Sequence, residues 1–177
     1  MNNEEITAHV LLAKNGDTGS FRKLYELYYK DMYRYAYYML GGGDDVEDVI
    51  SETVLDAFTG IKNLRHPAKF KSWIFQILTT KCKRQIASYV KDRENRRDEV
   101  PEEQLRKEDH PYALSVDVQN AFAALSEMER TVVSLIVFGG YTSREAAKIM
   151  KSKEGTIRSL KSRAFNKMSE YLKEELA

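Results

Sequence analysis

Apolar residues recur at three- and four-residue steps along this 177-residue chain, the period of helices that bury one face. Ile6, Val10 and Leu11 predict a short first helix, stopped at Asn15-Gly16-Asp17. Phe21, Leu24, Tyr25, Tyr28, Met32, Tyr35, Ala36 and Met39 predict a second, capped by Asp17 or Thr18. Gly41-Gly42-Gly43 ends it, since repeated glycine permits positive φ. Val46, Ile50, Val54, Ala57, Phe58 and Ile61 form the stripe of a third helix. The pattern breaks from Asn63 to Lys69 around Pro67, which lacks an N–H and pushes His66 away from helical angles. It resumes at Phe70, Trp73, Ile74, Ile77, Leu78 and Cys82. The tyrosines between Tyr25 and Tyr38 largely follow the helical repeat and read as packing, with hydroxyls that reach the surface.

The second half opens with Val118, Ala121, Phe122 and Leu125, followed by Ser126-Glu127-Met128-Glu129, which has the form of a capping box. Gly139-Gly140 ends that next helix. Two short helices then meet at a polar joint, the first capped by Thr142 or Ser143, the second carrying Ile157, Leu160 and Ala164 inward. Ala146 and Ala147 are small enough for the two to cross closely, which makes this a helix-turn-helix pattern. The expected fold class is all-α: two small helical domains joined by a charged linker, the C-terminal one a helix-turn-helix domain. The expected boundaries are 1–91, 92–117 and 118–177.

Charge changes this picture locally rather than globally. The net charge is only +1. Yet Asp44, Asp45, Glu47, Asp48, Glu52 and Asp56 stand together without a cation. Lys69, Lys71, Lys81, Lys83, Arg84, Lys91, Arg93, Arg96 and Arg97 follow, opposed by Asp92 and Glu94 alone. Such separation points to one basic partner and one anionic partner. On a helical projection Asp45, Asp48, Glu52 and Asp56 lie opposite the apolar stripe. On the basic helix Gln76, Thr79, Thr80, Lys83 and Arg84 turn outward or sideways. Cations behind a loop can neutralise the phosphates of one DNA strand while the loop takes an unstacked base. On the last helix Thr156, Ser159, Ser162 and Arg163 face out, Arg158 lies at the flank and Lys153 near the start, suited to base edges and phosphates.

Other classes of function find little support. Cys82 is alone, which excludes an intrachain disulfide or a cysteine zinc site. His9, His66 and His110 are scattered, and no glycine-rich phosphate loop or metal-ligand spacing occurs, so no catalytic residue, cofactor or metal is expected. With no signal peptide and no long apolar run, the expectation is a cytoplasmic protein without membrane insertion, and no appended sensory domain.

Val46-Glu47-Asp48-Val49-Ile50-Ser51-Glu52-Thr53 and Phe70-Lys71-Ser72-Trp73-Ile74-Phe75-Gln76-Ile77 resemble region 2 of the extracytoplasmic-function (ECF) sigma factors of bacterial RNA polymerase. Gly155-Thr156-Ile157-Arg158-Ser159 with Arg163-Ala164 is similar to their region 4. Ser51 and Val54 depart from the family pattern, which commonly has Gln and an aromatic there. The resemblance implies a monomeric protein that binds core RNA polymerase and promoter DNA and is held by an anti-sigma partner. It places Asp45, Asp48, Glu52 and Asp56 on the polymerase. It places Arg65, His66, Lys69, Lys71, Gln76, Thr79, Thr80, Lys83 and Arg84 on the minus-ten element. Lys153, Thr156, Arg158, Ser159, Ser162 and Arg163 fall on the minus-thirty-five element. The acidic linker is either a nucleic-acid mimic or a plain solvated tether. The alternatives are an autonomous helix-turn-helix regulator acting on operators without polymerase, and a protein-interaction module.

Overall fold

The computed structural model describes residues 1–43, 45–95 and 114–175, and every regular element among them is helical. The order is α1 (Asn3–Lys14), α2 (Thr18–Leu40), α3 (Asp45–Gly60), two 3-10 turns at Ile61–Asn63 and Pro67–Lys69, and α4 (Phe70–Asn95). The second half holds α5 (Val116–Ala123), α6 (Glu127–Val137), α7 (Ser143–Ile149) and α8 (Glu154–Glu175). Most of the linker stretch lies outside the described residues; α4 continues to Asn95 and α5 begins at Val116. No described helix is long and apolar enough to cross a membrane.

Asp17 caps α2, its carboxylate accepting the Ser20 N–H at 3.0 Å, and Gly41 closes it at φ 82°. α1, α3 and α4 pack around α2, and α3 also packs on α4. Leu24, Met32, Ile50, Phe70, Ile74, Phe75 and Leu78 are fully buried between them. Cys82 is buried there too, and the apolar surroundings push its thiol up to about 12.

Two packing expectations are corrected. From Tyr35 to Leu40 every residue of α2 is buried, so these tyrosines do not send their hydroxyls to the surface. Tyr35 is covered from α4, its hydroxyl 2.8 Å from that of Thr79, and Tyr38 by the second half of the chain: α6 packs on α2, and the Tyr38 ring lies 4.4 Å from Phe122 and 5.5 Å from Phe138. In α3 the core face is Val46, Val49, Ile50, Thr53 and Ala57. Thr53 satisfies its buried hydroxyl by donating to the Val49 carbonyl at 2.7 Å. Phe58, expected inside, is 44% exposed with its ring edge on Phe21, and Leu55 is 63% exposed.

In the second half α8 packs on α5, α6 and α7, and Ile157, Leu160 and Ala164 face inward as their spacing implies. Thr142 rather than Ser143 caps α7, in a reciprocal box with Glu145. The sharp α7–α8 joint is made by Lys151 at φ 49°, with the Ser152 N–H donating to the Ala147 carbonyl at 2.9 Å. The Ser126–Glu129 box caps α6, and Lys167 of α8 donates to the same Glu129 carboxylate at 2.8 Å. That triple contact fixes α8 against α6.

Lys167 first, and the Ser126 N–H and hydroxyl with it, hold the buried Glu129 carboxyl down to about 2, against an ordinary 4.5. A lowered carboxylate pKa stabilises the fold above the unfolded-state value, and that contribution is lost as pH falls through the folded-state value. Stability should therefore decline between about pH 4.5 and about pH 2. Glu129→Gln should flatten this acid limb in urea titrations across the range.

Candidate polymerase- and DNA-binding surfaces

The acidic helix and the basic helix are not electrostatically independent. Lys81 on α4 reaches across the seam to α3, its amine 2.7 Å from the Asp56 carboxylate and 3.2 Å from that of Glu52. These partners, Asp56 foremost, raise the Lys81 pKa. Arg84 adds a 2.6 Å contact to Glu52. At the start of α3, Asp45 accepts from the Tyr89 hydroxyl. Of the four carboxylates assigned to one face, three are thus engaged by α4. Asp48 is exposed and has no ion pair among the described residues.

The outward face of α3 has a composition the sequence reading missed. Leu55 lies opposite the Val46–Ile50–Ala57 core edge, with Ser51, Asp48 and Phe58 exposed around it. Glu47 borders the patch and accepts the Tyr29 hydroxyl at 2.9 Å. The result is an apolar centre with a carboxylate margin, a form suited to a basic amphipathic partner. The legible signal was Leu55 itself, an apolar residue on the wrong side of its own stripe.

The second surface lies on α4 and the turns before it. Arg65, His66, Lys69, Gln76 and Thr80 are exposed. Lys71 is half-buried, 3.6 Å from Asp31, with its amine over the Tyr28 and Phe75 rings. Lys83 donates to the Ile149 carbonyl of α7 at 3.0 Å. Burial there, then the charge of Lys151, lowers its pKa. Arg84 is turned to Glu52. Thr79 does not belong to this surface: it is 2% exposed, its hydroxyl 2.7 Å from the Phe75 carbonyl and 2.8 Å from the Tyr35 hydroxyl. Its place on the helix is set by the core, so it cannot touch a ligand.

The third surface is the outward side of α8 with the joint just before it. Lys153, Thr156, Arg158, Ser159, Ser162 and Arg163 are all exposed. Arg158 pairs with Glu154 at 2.6 Å, and Arg144 of α7 reaches the same carboxylate at 3.4 Å. On one flank a cavity of about 530 Å³ is lined by Ser143, Arg158, Lys161, Ser162, Phe165 and Asn166. Phe165, absent from the sequence reading, is 40% exposed with the Lys161 amine 5.9 Å from its ring centre.

Comparison with known proteins finds one match in each half of the chain. Residues 24–92 match the family described as Sigma-70 region 2, and residues 121–170 match Sigma-70, region 4. The ECF RNA polymerase sigma factor BldN of Streptomyces coelicolor is 27% identical over 173 residues, covering 92% of this chain and 64% of that protein. The ECF RNA polymerase sigma factor SigM of Mycobacterium tuberculosis is 25% identical over 178 residues, covering 97% and 84%. The chain belongs to the ECF RNA polymerase sigma factors. Region 2 of this sigma factor therefore spans most of α2 to α4, and region 4 spans most of α5 to α8. Among solved structures, the sigma factor RpoE in complex with the anti-sigma factor NepR from Bartonella quintana superposes with a TM-score of 0.68 at 26% identity, covering 86% of this chain and 96% of that one.

The burial of Thr79 separates support from contact in region 2. Thr79→Val should cost about 1–3 kcal/mol of stability, because the buried Tyr35 hydroxyl loses its partner. DNA binding by the folded fraction should stay unchanged, which urea titration with fluorescence anisotropy on the same sample measures.

Proposed function

We propose that this sigma factor binds core RNA polymerase and directs it to specific promoters. The outward face of α3 docks on the polymerase, with Asp48 and Leu55 at its centre and Asp45, Glu52 and Asp56 along the α4 seam. The loop at Arg65, His66 and Lys69 with Lys71, Gln76, Thr80, Lys83 and Arg84 meets the downstream promoter element. Lys153 at the α7–α8 joint and Thr156, Arg158, Ser159, Ser162 and Arg163 on α8 meet the upstream element.

The observation that carries this reading is the exposed apolar-and-acidic face of α3 beside an exposed basic reading helix in the same chain. An autonomous operator-binding regulator would use α8 and leave the α3 face without a partner. The complex of RpoE with NepR supports an anti-sigma partner for this chain as well. Acting on polymerase places the protein in the cytoplasm.

Arg163 is the better candidate for direct base contact, since Arg158 is tied to Glu154. A bidentate arginine–guanine pair discriminates by about 1–3 kcal/mol.

Run-off transcription on fragmented genomic DNA should give discrete transcripts only when core polymerase and this protein are both present. Asp48→Lys and Leu55→Asp, both at exposed positions, should leave stability within about 0.5 kcal/mol and abolish association with core polymerase. Arg163→Ala should relax preference at one upstream base pair. Retained association by both α3 variants would refute the docking assignment.

A further inference from the structure

The loop assigned to the downstream element rests on a helix that precedes region 2. Residues 24–92 match region 2, and α1 ends at Lys14. α1 nevertheless packs on both 3-10 turns of this loop. Its last residue, Lys14, crosses to the loop and donates its amine to the Leu64 carbonyl at 2.7 Å, 50 positions along the chain.

That bond controls the geometry of the loop tip. The Leu64 N–H donates to the Ile61 carbonyl at 3.0 Å, and the Lys69 N–H donates to the His66 carbonyl at 2.9 Å. Ile61, Leu64 and Phe70 are buried, whereas Arg65 and His66 stand exposed between them. The Leu64 carbonyl and the Arg65 N–H belong to one rigid peptide plane. By holding that oxygen, Lys14 sets the plane from which Arg65 leaves the chain. Pro67 fixes the far side of the tip, because its ring locks φ at the start of the second turn.

Lys14 can act as a reference because α1 is itself fixed to α2. Val10 and Ala13 are buried. His9 Nδ1 lies 2.9 Å from the Ser20 hydroxyl. Between the helices the Asp17 N–H donates to the Leu12 carbonyl at 3.1 Å, across a turn in which Gly16 takes φ 97°. A cation in the last turn of α1 also suits the negative end of the helix dipole. A solvated lysine keeps its rotamer freedom. Lys14 instead is half-buried and commits its amine to one oxygen, in a charge-assisted bond stronger than a neutral one.

We propose that Lys14 is a positioning residue for the downstream-reading loop: without touching DNA, it orients the Arg65–His66 tip toward an unstacked base through the Leu64 carbonyl. Downstream base preference in this chain therefore depends on a helix outside the matched region. This deepens the proposed function and rests on its assignment of Arg65 and His66 to the downstream element.

The test compares the full-length wild type with Lys14→Met and Lys14→Arg. Methionine keeps the apolar stem and removes the donor; arginine supplies an N–H donor again. Trypsin cleavage after Arg65, followed by mass spectrometry on the protein without polymerase, reports the order of the loop. Base preference is read by sequencing transcripts that the holoenzyme makes from a promoter recovered in the run-off experiment, randomised first at its downstream and then at its upstream element. Lys14→Met should bind core polymerase as the wild type does. It should be cleaved faster after Arg65 and lose about threefold to tenfold of its downstream preference, with the upstream preference intact. Lys14→Arg should restore both. Faster cleavage with unchanged downstream preference overturns the positioning role, and so does an equal loss at both elements. Unchanged cleavage overturns the anchor itself. A wild-type holoenzyme without transcripts would refute the proposed function and the reading role with it. The cleavage rates, which need no polymerase, keep the two failures apart.

Discussion

Burial of the last turns of α2 on every side is the constraint on which the rest depends. A helix hidden all round normally carries a continuous apolar sequence. Here the hidden segment is Tyr35-Ala36-Tyr37-Tyr38-Met39-Leu40, and tyrosine contributes large apolar area together with a hydroxyl that demands a partner. Thr79 answers Tyr35 from α4, and that demand is why a threonine on a basic helix lies inside. Tyr38 turns the other way and gives region 4 its seat. One helix therefore orders the core of region 2 and joins it to region 4.

Charge has a second role beside recognition. The acidic run on α3 and the basic run on α4 form a seam, with Lys81 nearly covered between Glu52 and Asp56 and Arg84 pairing from an exposed position. Exposed pairs of this kind contribute no more than about 1 kcal/mol each. Their effect is geometric: they hold the side chains of Glu52 and Asp56 toward α4. What then faces outward on α3 is Leu55 with Asp48, an apolar patch with an acidic margin. A clean separation of charge along the chain becomes partial neutralisation in space.

Region 4 shows how one side of its last helix is kept open. α8 spends one side on α5, α6 and α7, and the Glu129–Lys167 contact fixes its rotation, so the opposite side has only solvent beside it. The joint at Lys151 sets the angle between α7 and α8, and the carbonyl at the end of α7 points to Lys83. The same short helix that supports α8 thus touches α4, and the two helices are mechanically related.

The sequence by itself determined the local elements and the family. Helix periodicity, the Ser126–Glu129 box and the glycine stops depend on residues within a few positions of each other, and they appear where their spacing implies; of the two cap candidates offered at each of two other helices, the structure selects Asp17 and Thr142. The helix-turn-helix and the outward face of α8 were legible for the same reason, since an apolar stripe leaves only one side free. Only the tertiary structure decided that Thr79 is core, that Phe58 and Leu55 are surface, that Glu52 belongs to Lys81 and Arg84, and that Lys83 meets α7. Each of these depends on which side of a helix acquires a neighbour distant in the chain. A threonine, a tyrosine or a lysine has both apolar and polar parts, so periodicity cannot assign it a side; the element packed against it does.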